Sequence, residues 1–137
     1  GLKAVAENSI VFVHDGVRPL VSSALIHRCY EQAVEMGSAI PAVPVTDSMR
    51  IIEDEDTRPV DREYLRIIQT PQTFRSDILL PAFQQPYQPS FTDEATVVES
   101  YGTQVHLVEG ERGNIKVTMP EDMIVTVALL KAGKDND

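Results

Sequence analysis

The chain has a single cysteine, Cys29, no tryptophan, and seven glycines that never cluster. A lone cysteine closes no internal bridge, and with three scattered histidines it supplies no ligand set for structural zinc, so a reducing compartment is expected. No apolar run approaches the roughly 20 residues that a membrane helix requires. Nor does a charged start lead into an apolar stretch of the secretory kind. The expectation is a soluble, cytoplasmic protein with no membrane partner. Basic residues are also scarce: 12 Lys and Arg stand against 21 Asp and Glu, for a net charge of −9. That field repels a nucleic-acid backbone, whereas a small phosphorylated ligand needs only a few convergent cations. With the glycines dispersed, no glycine-rich loop offers a backbone cradle for a triphosphate.

What is present reads as one domain of 137 residues. Residues 9–13 (SIVFV) form a short β-branched run that ends in a loop at His14 to Pro19. Ser22 or Ser23 can cap a helix whose apolar positions Leu25, Cys29, Ala33 and Met36 recur at helical spacing, with Gly37 as its left-handed stop. Residues 39–45 form a second strand. Pro41 and Pro44 each remove a ladder donor, so this strand is expected to be interrupted, bulged or near an edge. From Thr46 the pattern becomes two extended pieces about the acidic turn Glu53 to Asp56, a hairpin or arm with too few apolar residues to bury itself. It is therefore expected to pack against another surface, a second copy of the chain included. Further on, residues 65–69 suit a strand, Ser76 a helix cap, and Thr92-Asp93-Glu94 a helix start. Residues 104–109 suit another strand. Thr118 with Glu121 suits a capping box that opens a last helix to about Ala132, with a tail from Gly133 to Asp137 that frays. Strands alternating with helices predict an α/β fold, a mainly parallel sheet flanked by helices, with a protruding β arm.

In such sheets ligands bind beyond the carboxyl ends of strands, where the loop at residues 14–19 falls. By residue type Asp15 suits a hydroxyl or a divalent cation, and equally a loop cap; Arg18 suits a phosphate, and equally a surface ion pair. Lys116 stands just before Thr118 at a helix start, where backbone N–H groups favour anions. Arg62, after the arm, is a third cation. A nucleophile is not indicated: Cys29 falls on an apolar helix face, no serine sits in a G-x-S-x-G turn, and the histidines have no triad spacing.

In order along the chain, VHDGVRP (13–19), PVTDSMR (44–50), PVDRE (59–63), QTPQTF (69–74), TDEA (92–95), LVEG (107–110) and NIKVTMPED (114–122) resemble the 2-C-methyl-D-erythritol 4-phosphate cytidylyltransferases. The resemblance runs from about residue 9 to residue 131. It implies a Rossmann-like domain of which residues 1–137 are the C-terminal portion, with the arm at about 46–64 exchanged across a homodimer. The family's N-terminal Gly-rich loop for CTP has no counterpart here. By matching motif, Asp15 resembles the aspartate near metal and substrate, with Mg²⁺ as the implied cofactor. Arg18, Thr92, Lys116 and Thr118 then fall in the substrate pocket, and Thr70 matches a recurrent hydroxyl position. Arg62 resembles the arm arginine that reaches the substrate phosphate of the partner subunit, helped by Ser48 where threonine is usual. Gly16 stands where alanine is common. The implied reaction joins CTP and methylerythritol phosphate with release of pyrophosphate, for isoprenoid synthesis. Two alternatives remain: ribitol-5-phosphate cytidylyltransferase, which shares most of these motifs although the Val60-Asp61-Arg62 string resembles the methylerythritol enzymes more, and a non-catalytic dimerisation and substrate-pocket fragment.

Overall fold

A computed structural model describes residues 1–134. Strand β1 (Ile10–Val13) leads through the 14–19 loop into helix α1 (Ser23–Met36). The hydroxyl of Ser22 accepts from the Leu25 N–H at the start of α1, and Gly37, at φ +91°, closes its end in the left-handed region. Strand β2 (Ser38–Pro44) then runs out to the arm, β3 (Met49–Glu53) paired with β4 (Asp56–Val60). The chain returns as β5 (Arg66–Ile68) and β6 (Gln72–Arg75), separated by a break that contains the cis peptide Thr70–Pro71. Helices α2 (Ser76–Ala82) and α3 (Glu94–Ser100), strand β7 (Leu107–Glu109) and helix α4 (Pro120–Lys134) complete the order.

The α/β class, the flanking helices and the projecting hairpin are as expected from the sequence. The strand directions are more mixed than a mainly parallel sheet. Strands β1, β2 and β7 share a direction, but β5 and β6 run against them, and the directly parallel ladder is β2 with β7. The cause is the arm. A chain that leaves the end of β2 and comes back alongside it must return antiparallel, so β6 enters the sheet reversed, between β1 and β2.

The prolines of β2 do not place it at an edge; six of its seven residues are buried in mid-sheet. On one side Ile40 donates to the His106 carbonyl and Ala42 accepts from Gly110. On the other, the Pro41 carbonyl accepts from Gln69. The missing Pro41 donor therefore faces the break between β5 and β6, where the partner is interrupted instead of β2 itself. Alternation across β2 divides the core. Ala39 joins Leu25, Cys29 and Ala33 beneath α1, while Ile40 joins Phe74, Leu79 and Val98 beneath α2 and α3. Burial pushes the Cys29 thiol up from its ordinary value, in keeping with a core role.

Three helix starts differ in detail from expectation. Ser76 is the first residue of α2 and not its cap; its hydroxyl instead accepts from the Ser9 N–H. At α3 the cap is Asp93 and not Thr92, in a capping box with Thr96. At α4 the box uses Asp122 in place of Glu121. Pro120 opens the helix, so Asp122 is the third helical residue, and its Oδ2 accepts from the N–H groups of Thr118 and Met119. These bonds, that from Thr118 foremost, hold the Asp122 carboxyl below its usual value. A carboxyl lowered in the fold stabilises it above the ordinary carboxylate range and loses that contribution as pH falls through the lowered value. The protection factors of the Thr118 and Met119 amides, taken against their intrinsic exchange rates, should accordingly be highest with Asp122 ionised and fall selectively in acid; pH-independent protection factors would contradict this. Helix α4 continues past Ala132 to Lys134, and the expected fraying of the tail lies, for residues 135–137, outside the described residues. Its apolar side chains Met123, Ile124, Val127 and Leu130 are exposed.

Candidate active site

The loop after β1 and the segment before α4 meet because Val117 donates its N–H to the Val17 carbonyl. That places Asp15, Arg18 and Lys116 together although about a hundred residues separate them in sequence. One oxygen, Asp15 Oδ2, lies 3.2 Å from Arg18 Nε and 3.4 Å from Lys116 Nζ. The two cations have different surroundings. The Arg18 side chain is 9% exposed and that of Lys116 is 49% exposed. Arg18 Nη1 donates to the Asn114 carbonyl at 2.8 Å and Nη2 to that of Ile68 at 3.4 Å. Its planar fork meets a carboxylate and two carbonyls, and Arg18 also lines the cleft that Lys116 lines. Lys116 retains an exposed ammonium. Two cations on one carboxylate leave a local positive excess in an acidic chain.

Thr70 belongs to the same cluster: its Oγ1 accepts from the Asp15 N–H at 2.9 Å and lies 2.9 Å from His14 Nδ1. Two buried amides unforeseen from the sequence lock the arrangement. Gln69 donates from Nε2 to the Glu111 carbonyl at 2.7 Å and accepts at Oε1 from the Glu111 N–H at 3.1 Å. Asn114 donates from Nδ2 to the Thr70 carbonyl at 2.8 Å. The strand therefore passes very near Gln69 at Gly110, where an added Cβ would lie 2.5 Å from Gln69 Oε1. Their signal was the motif itself: Gln69 sits in QTPQTF and Asn114 in NIKVT, with no charge to mark a role. Between Val43 and Ile67 on one side and Arg112 to Lys116 on the other lies a cleft of about 400 Å³.

Thr92 is at the same end of the sheet but lines a different hollow. Gln72, in register with Val13, donates from Nε2 to Asp93 Oδ2 and accepts at Oε1 from the Ala95 N–H, which holds the start of α3 beside the end of β1. Thr92 then lines a hollow of about 370 Å³ with Phe83, Tyr87 and Phe91. The Thr118 hydroxyl donates to Asp122 Oδ2, the oxygen that also accepts the Thr118 and Met119 N–H groups at the start of α4. Arg62 and Ser48 are not brought to Asp15. Arg62 is exposed at the arm's base, where its guanidinium donates to the Thr46 carbonyl, and Ser48 is exposed beside it. No hydrogen bond or ion pair among the described residues links either to Asp15, Arg18 or Lys116.

The family model for 2-C-methyl-D-erythritol 4-phosphate cytidylyltransferase, IspD, matches residues 1–132. The chain belongs to that family. Among IspD relatives, the cytidylyltransferase of Bacteroides thetaiotaomicron is 45% identical over 130 residues, which cover 95% of this chain and 59% of that protein. The bifunctional IspD/IspF enzyme of Desulfotalea psychrophila is 45% identical over 141 residues, covering 98% of this chain and 36% of that protein. Among solved structures, the IspD enzyme of Thermus thermophilus superposes with a TM-score of 0.81 at 36% identity, covering 95% of this chain and 65% of that one. The chain thus spans 59% of the length of the Bacteroides relative. Among the described residues no helix is long and apolar enough to cross a membrane.

Proposed function

We propose that this chain forms the polyol-phosphate side of a cytidylyltransferase site, as the C-terminal portion of a protein that joins CTP and 2-C-methyl-D-erythritol 4-phosphate in the cytoplasm. The observation that carries the reading is the single Asp15 oxygen shared by buried Arg18 and exposed Lys116. In the reaction an oxygen of the polyol phosphate attacks the α-phosphorus of CTP, the new P–O bond forms, and the bond to pyrophosphate breaks. No nucleophile or base is required of the protein, only positioning and charge neutralisation. Lys116 offers its ammonium to the incoming phosphate, and Thr92 offers a hydroxyl from the same end of the sheet. Arg18 acts from behind by holding Asp15.

Among the described residues no three metal-ligating side chains gather, so Asp15 would hold a divalent cation with at most one further such side chain. That fits Mg²⁺, which usually takes one or two carboxylates and completes its shell with water and substrate phosphates. When bound it supplies further neutralisation of phosphate charge.

Arg62 and Ser48 enter from a second copy. What supports this is the exposure of the arm, with Ile52 76% and Met49 41% accessible, and that among the described residues no hydrogen bond or ion pair ties Arg62 or Ser48 to their own Asp15 cluster. A homodimer through exchanged arms gives the arm a surface and the site a third cation. Titration of the chain with methylerythritol 4-phosphate should perturb the amide signals of Asp15, Thr92 and Lys116, and ribitol 5-phosphate or inorganic phosphate should do so much more weakly. Cytidylyl transfer by the chain alone should be undetectable. Equal responses to all three phosphates, or robust turnover of CTP, would overturn the respective part of the reading.

A further inference from the structure

The loop that carries Asp15 is held by a hydrogen-bond chain whose directions follow from chemistry alone. His14 Nε2 lies 3.0 Å from the Arg18 carbonyl, which can only accept, so Nε2 carries the ring hydrogen. In the neutral ring Nδ1 then has a lone pair, and the Thr70 hydroxyl donates to it. That leaves a Thr70 Oγ1 lone pair for the Asp15 N–H. The Arg18 N–H donates in turn to the Asp15 carbonyl at 3.0 Å, so the loop is closed upon itself. Thr70 is 8% exposed, and its own carbonyl is taken by Asn114, two residues before Lys116. A hydroxyl committed on both sides has nothing left to donate to a substrate.

We propose that Thr70 and His14 are positioning residues: an oriented pair that fixes the backbone of Asp15 and, through it, the carboxylate that Arg18 and Lys116 share. Thr70 is thereby moved from the substrate-contacting set suggested by its motif to the supports beneath it. The inference rests on the proposed function only for its ligand readout.

The test uses the isotopically labelled chain. First, nitrogen NMR of the unsubstituted protein at a pH where His14 is neutral should show the hydrogen on Nε2; a ring protonated at Nδ1 overturns the proposal, and this measurement needs no variant to fold. Second, Thr70→Val, which keeps the shape and loses the hydroxyl, should speed exchange of the Asp15 amide by about tenfold, and Thr70→Ser should restore it to within about twofold. Third, affinity for methylerythritol 4-phosphate should fall by about tenfold in Thr70→Val and recover in Thr70→Ser. Unchanged exchange in the valine variant, or a serine variant that behaves like valine, overturns the assignment. If the unsubstituted chain binds no methylerythritol phosphate while the first two measurements come out as expected, the positioning role stands and the substrate reading fails.

Discussion

Replacing Arg18 by methionine should lower the unfolding free energy of the chain by about 3 kcal/mol, and Arg18→Lys should recover little of it. The side chain is 9% exposed and supplies three donors to three acceptors: Asp15 Oδ2, the Asn114 carbonyl and the Ile68 carbonyl. Methionine fills much of the same volume, so packing is largely kept while two carbonyls lose a charged donor. The Ile68 carbonyl loses that donor, the Asn114 carbonyl keeps only the longer bond from Gln69 Nε2, and the Asp15 carboxylate retains only the partly exposed Lys116; a buried acceptor left unpaired costs about 1–3 kcal/mol. Lysine brings the charge but not the planar fork, and cannot reach three separate acceptors at once. Urea unfolding followed by circular dichroism checks the value; a loss below about 1 kcal/mol would show that the guanidinium is not what ties the three segments together. Because those segments are the 14–19 loop, the end of β5 and the approach to Lys116, the same substitution should also loosen the site.

Lys116→Ala should do the reverse. Its side chain is about half exposed and its one ion pair among the described residues is with Asp15, so the stability change should stay within about 0.5 kcal/mol. Binding of methylerythritol 4-phosphate, by contrast, should weaken by roughly 30-fold, as expected for the loss of one charge-assisted contact of about 2 kcal/mol. Calorimetric titration of the variant beside the unsubstituted chain separates the outcomes. A lysine variant that unfolds early, or one that binds as tightly as before, would reverse the roles assigned to the two cations. The pair is informative because both meet the same carboxylate oxygen, while Arg18 is buried with two further carbonyl partners and Lys116 is half exposed.

Local signals in the sequence carried far. Ser22 and Gly37 bounded α1 because a cap hydroxyl and a residue tolerant of positive φ act within one turn of the chain. The arm was legible because its two extended pieces flank an acidic turn and contain little to bury, and its exposed Ile52 agrees with that poverty. Where a signal depended on which neighbour arrives, sequence reasoning slipped. Pro41 looked like an edge residue because it lacks a donor, yet the gap it leaves is matched by a break in the strand opposite. Gln69 and Asn114 carry no charge and have no helical or strand periodicity to mark them, so their role as struts under the site could not be seen from composition or spacing.

The order of charged and hydroxyl residues along the chain by itself determined which groups are available for chemistry: Asp15, Arg18 and Lys116, with no activated nucleophile, in an acidic background that makes any phosphate site a local matter. The tertiary structure decided how those groups divide the work. Residue type sets what a side chain can donate or accept, but whether its donors meet carbonyls or open water depends on segments about a hundred residues apart closing on one another. That closure buried Arg18 and left Lys116 at the surface.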